Sequence, residues 1–62
     1  MITITITDRE HNYIRVKSNH PAFKEAYGNG ITGLKKDTFR IMHNLTTWAN
    51  NEVKEAILFE VE

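Results

Sequence analysis

The sequence predicts one small α+β domain over residues 1–62, in two layers and in the order β-β-α-α-β. Its expected form is a three-stranded antiparallel sheet, spatial order 2-1-3, packed on one main amphipathic helix and one short helix. Three observations predict it. Ile2, Ile4 and Ile6 alternate with Thr3, Thr5 and Thr7. Residues 38–51 carry apolar side chains at helical spacing. The chain has 62 residues, 40% of them hydrophobic, with zero formal charge, enough for one thin core and no second domain.

The opening segment is a strand because period two with branched side chains packs well on a pleated surface. Its isoleucines are expected to face inward and its threonines outward. Asp8–His11 is a polar turn. Asn12–Ser18 alternates again, with Ile14 and Val16 on one face and Tyr13, Arg15 and Lys17 on the other, so the two runs form a hairpin. Pro21 suits a first helical position, where its missing N–H needs no partner. Asn19 or His20 precedes it as cap, Asn having the better capping chemistry. Phe23 and Tyr27 then share a face one turn apart. Gly28-Asn29-Gly30 ends that helix, since Gly and Asn accept a left-handed conformation.

Asp37 is a good cap for a main helix over Thr38–Asn51. Phe39, Ile41, Met42, Leu45, Trp48 and Ala49 occupy one half of its wheel. Leu34 extends the same half, so a start near Thr32 is the alternative. Trp48 and Phe39 lie at the borders of the apolar stripe, as core residues or as a second sticky flank that would favour a dimer. Ala56–Glu62 is the last strand, with Ile57, Phe59 and Val61 on one face and Leu58 and Glu60 on the other. Returning beside the first strand, it is expected to run antiparallel to it and to leave the isoleucine strand central.

Composition excludes several classes. Without Cys there is no disulfide framework and no thiol chemistry. The N-terminus has no basic, continuously apolar leader, and Ala56–Phe59 is far too short to cross a bilayer, so a cytoplasmic protein without a membrane partner is expected. A chain of this length cannot easily build a pocket of about 300 Å³ beside its core, and no Ser or Thr has a base at a motif spacing. No enzyme activity and no cofactor are therefore expected.

Gly28-Asn29-Gly30-Ile31-Thr32-Gly33 matches the dinucleotide pattern G-x-G-x-x-G. That chemistry needs a strand before the glycines, and here a helix precedes them, so a helix stop and turn is the better reading. Asp8, Glu10 and His11 share one turn and are the least poor metal or enzyme candidate, but a closed zinc site needs four ligands. His20 reads as a helix-start residue and His43 as part of a polar helix face. The Asn44-Leu45-Thr46 sequon falls inside a helix and reads as chance.

Two surfaces remain. Lys35, Lys36 and Arg40 gather at the start of the main helix, where cations oppose the helix dipole and hint at an anionic partner. The ordinary reading is a solvated basic loop, and a nucleic-acid-binding regulator is the alternative function. Charge is otherwise uneven only at the tail, where Lys54 stands against Glu52, Glu55, Glu60 and Glu62. The second surface is the outer sheet face, with Thr3, Thr5, Thr7, Tyr13, Arg15, Lys17 and Leu58. Tyr and Arg are enriched at interface centres, and open sheet edges accept added strands. The bland reading is a wet antiparallel face of ordinary kind. The favoured function is a small non-enzymatic protein-binding module: an inhibitor, regulator or accessory subunit that occludes or scaffolds a partner protein. Inhibitors carried by mobile elements fit its size. A homodimer is the second partner expectation, because a thin core gains from extra buried area.

Overall fold

The computed structural model describes residues 1–62. Six main elements follow in order: β1 (Ile2–Asp8), β2 (Tyr13–Lys17), α1 (Pro21–Tyr27), β3 (Ile31–Leu34), α2 (Thr38–Trp48) and β4 (Ile57–Val61). Short 3₁₀ turns occupy Glu10–Asn12 and Lys35–Asp37, and a π turn at Ala49–Val53 extends α2. The strands form one four-stranded mixed sheet in the order β3-β2-β1-β4. β2 is antiparallel to β1 and to β3, whereas β4 is parallel to β1.

The α+β class and the central isoleucine strand follow the sequence reading. The strand count, the all-antiparallel sheet and the order 2-1-3 do not. The cause is one unrecognised element. Residues Ile31–Leu34, which read as part of a turn or of an early helix start, form β3 beside β2. That extra pass carries the chain back along the sheet before α2 begins. After α2 has returned it, the last strand must run in the direction of β1.

Period-two burial is complete in the first two strands. Ile2, Ile4, Ile6, Ile14 and Val16 are all buried, while Thr3, Tyr13 and Lys17 are exposed. Phe23 of α1, Leu45 of α2 and Ala49 of the π turn close the core from the helical side. Burying large aliphatic or aromatic side chains of this kind contributes about 1.5–3 kcal/mol each. Trp48 belongs to the core margin: its ring lies 5.2 Å from Tyr27 and 6.2 Å from Phe23. Phe39, at the other border of the stripe, is 84% exposed. No polar side chain is buried, and no buried polar atom lacks a partner.

Two glycines make β3 possible. Gly30 has φ +135, and a Cβ there would sit 2.8 Å from the Val16 carbonyl oxygen, so only Gly fits where the chain enters the strand. Gly33 lies beneath Ile41, whose Cδ1 would be 2.6 Å from an added Cβ, and this brings α2 close onto β3.

Both caps fall where the sequence places them, but their chemistry differs from expectation. His20, not Asn19, caps α1, its Nδ1 accepting from the Ala22 N–H at 3.1 Å. Asp37 precedes α2 but makes no capping bond. Its carboxylate instead pairs with Arg40 at 3.0 Å. The helix ends at Trp48, three residues before the expected Asn51, and the π turn closes on Lys54 with φ +61.

Because Nδ1 of His20 accepts, the ring proton lies on Nε2, which faces Glu55 Oε2 at 3.2 Å. The other oxygen of Glu55 accepts from the Met1 ammonium at 2.8 Å. The ammonium hydrogen bond, against slight desolvation and with further help from His20, holds the Glu55 carboxyl below its usual value of 4.5. A carboxyl whose folded value is depressed adds stability that is fully present above its unfolded value and fades as pH falls through the folded one. Thermal melts are expected to lose stability as pH drops below 4.5. Glu55→Gln should flatten that acid limb, and an unchanged limb in the variant would refute the assignment.

Candidate protein-binding face

Both helices and the core lie on one side of the sheet, and the other side carries no covering element. All seven sequence-predicted residues of this face come together there, because register and alternation leave no other choice. Thr5 pairs with Lys17 and Thr7 with Arg15 across β1 and β2. Thr3 pairs with Leu58 across β1 and β4, and Tyr13 pairs with Leu34 across β2 and β3.

Exposure varies within the set. Tyr13 is 43% and Leu58 49% exposed, and they stand toward opposite edges of the face. Thr5, Thr7 and Arg15 are half-buried by their neighbours. Arg15 is already held: its Nη2 donates to the Asn29 carbonyl at 3.2 Å, laying the side chain over the β2–β3 side. A guanidinium fixed in this way loses less side-chain entropy on docking than a free one. Thr7 Oγ1 donates to Glu62 Oε1 at 3.2 Å.

Three residues of the face were missing from the predicted set. Thr32 and Leu34 reach it through β3, and Glu60 through β4, opposite Thr5. The signal for Thr32 and Leu34 was present as alternation with Ile31 and Gly33, but four residues containing a glycine are too short to stand out. Leu34 places a second apolar side chain beside Tyr13. Glu60 and Glu62 set an acidic margin along β4, against the cations Arg15 and Lys17 on β2. The face is therefore dipolar across its width, with small apolar groups between.

Two open hollows mark its ends. One, of about 430 Å³, lies among Thr3, Thr5, Lys17, Asn19 and Glu60. The other, of about 720 Å³, lies among Asp8, Glu10, Tyr13, Arg15 and Thr32. Both are open to solvent and lined by polar and apolar surface in nearly equal parts, suited to receiving protruding side chains rather than to enclosing a small molecule.

The basic alternative site is largely neutralised within the chain. Lys35 pairs with Asp8 at 3.4 Å and Arg40 with Asp37 at 3.0 Å, leaving Lys36 without a carboxylate partner. Asp8, Glu10 and His11 do not assemble into a ligand cluster, and no group of three His, Asp or Glu side chains does so elsewhere. No helix is long and apolar enough to cross a membrane. Comparison with family models, curated proteins and solved structures finds no match for this chain, so it is the geometry of this face that speaks for it.

Proposed function

We propose that the chain is a cytoplasmic protein-binding module, an inhibitor, regulator or accessory subunit, that docks a partner protein on the outer face of its sheet. One observation carries the reading. A four-stranded sheet covered by helices on one side leaves Tyr13, Leu34 and Leu58 open on the other, framed by Arg15 and Lys17 and by Glu60 and Glu62. Tyr and Arg are side chains that protein interfaces enrich, and here both stand on the β2 side of an uncovered face whose β4 side is apolar and acidic. A partner with acidic groups opposite β2 and basic groups opposite β4 fits the charge pattern. Binding would act by covering the partner's surface, because the face has no enclosed site in which to do chemistry.

The pairing of Lys35 with Asp8 and of Arg40 with Asp37 lowers the positive charge at the start of α2 and so favours the protein-binding reading over the nucleic-acid alternative, which would draw on Lys36 there and on Arg15 and Lys17 of β2.

The test is capture from the host with wild-type chain and with the double variant Tyr13→Ala, Arg15→Glu. Wild type should retain one defined partner at fixed stoichiometry, and the variant should lose it with an unchanged melting curve. The two substitutions remove a hot-spot aromatic and reverse a charge, together expected to weaken capture by about tenfold or more. Equal retention by both chains would defeat the sheet-face reading.

A further inference from the structure

We propose that a second copy of this chain pairs with β4, edge to edge and antiparallel about a two-fold axis, with Phe59 opposite Phe59 of the other copy. The backbone of β4 carries the argument. Its ladder with β1 opens with the Ile2 N–H donating to the Ala56 carbonyl at 2.8 Å and closes with the Glu62 N–H donating to the Ile6 carbonyl at 2.9 Å. Backbone groups alternate in direction along a strand. Ala56, Leu58, Glu60 and Glu62 therefore turn theirs to β1, while Ile57, Phe59 and Val61 turn theirs outward, with nothing beside them.

Of the usual edge protections this strand has only acidic side chains, Glu60 and the following Glu62. Ile57–Val61 contains no Pro and no Lys, and its register with β1 runs without a bulge. The opposite edge is blunted. β3 has four residues, of which only Thr32 and Leu34 turn outward, and Lys35 at once begins a 3₁₀ turn. That outward pair follows from the Arg9 N–H donating to the Tyr13 carbonyl, which gives Tyr13 and Arg15 to β1 and leaves Ile14 and Val16 to bond β3.

β4 is also complementary to itself. With Phe59 at the two-fold axis, Ile57 faces Val61 of the other copy, and all three outward residues on each strand meet outward residues. Each such pair exchanges two hydrogen bonds, six in all. A slip by two residues in either direction loses two of them. On the helix-covered side, Val61, now 76% exposed, gains Ile57 as its cross-strand neighbour. On the outer side, Leu58 faces Glu60 and Ala56 faces Glu62, so no carboxylate stands directly opposite another. The pairing closes on itself, whereas β3 against β4 would be head-to-tail and would leave an edge open at each end.

This inference stands apart from the sheet-face reading. The outer face stays uncovered in the pair, so partner capture and dimerisation can fail separately. Sedimentation from about 1 µM to about 1 mM, the range of weak to moderate self-association, should show a monomer giving way to a dimer and nothing larger. Val61→Lys, a substitution at an exposed edge position, should raise the dissociation constant about tenfold or more.

The chain has no cysteine, so the register can be trapped directly. Leu58→Cys and Glu60→Cys chains, mixed under mild oxidation, should cross-link as the mixed pair faster than either chain alone. Directly opposite residues of that type lie about 4.5 Å apart at Cα, within disulfide reach. If Val61→Lys fails to fold, the cysteine mixture still decides. A monomer at every concentration, open-ended assembly, or no preference for the mixed cross-link would overturn the proposal.

Discussion

Phe23→Ala should leave much of the chain unfolded in plain buffer, read as loss of helical circular dichroism and a red shift of Trp48 fluorescence. Phe23 has no exposed surface. Its ring lies 5.1 Å from Tyr27 and 6.2 Å from Trp48, so it joins α1 to α2 as well as filling the core. Truncating a buried Phe typically costs about 3–5 kcal/mol, the lost transfer energy plus the cavity left behind. A domain of this length has about 3–9 kcal/mol in total. The cost is therefore of the same order as the whole stability. Phe23→Leu, which keeps most of the volume, should stay folded with a lower melting temperature. A melt for Phe23→Ala within a few degrees of wild type would mean that the helical layer is not anchored by this ring.

The second large effect is expected at Ile4, the middle of the central strand. Ile4→Ala should lower stability by about 2–5 kcal/mol, measured by urea denaturation with the midpoint followed at constant slope. Ile4 has no exposed surface and has a strand on either side. The control is Phe39→Ala. It removes more carbon from a residue 84% exposed, and it should move stability by no more than about 0.5 kcal/mol. Equal costs at the two sites would contradict the burial that defines the core.

That contrast shows how much of the fold the sequence carried. The alternation of Ile2, Ile4 and Ile6 was enough to place a buried central strand, because period two with branched side chains has no helical solution. Tyr13–Lys17 and the two helices were legible for the same reason: each has a repeating apolar period over several residues. β3 was not. Ile31–Leu34 offers two alternations, one filled by a glycine, and its place in the sheet depends on Gly30 passing close to Val16, which no local pattern encodes. The direction of β4 was misread as a consequence, since orientation is inherited from the number of passes before it. On the outer face, the residues of β1 and β2 could be grouped from alternation alone. Thr32 and Leu34 could not, as they needed β3. Of the two cap candidates for α1, the better capping side chain in isolation, Asn19, gives way to His20, whose ring is also engaged by Glu55.

The parallel β1–β4 pair joins residues far apart along the chain, Ile2 with Ile57 and Ile6 with Val61. Closing a loop of that length costs about 3.5 kcal/mol in chain entropy before any contact repays it. The hairpin of β1 and β2 closes a much shorter loop, so β4 is expected to dock last during folding and to leave first. Its departure bares Ile2–Thr7, an uncharged run of branched residues with a free row of N–H and C=O groups, the kind of segment that templates cross-β growth. The acidic final strand is in this sense a shield, and loosening residues 57–61 is expected to raise any tendency of the chain to form fibrils.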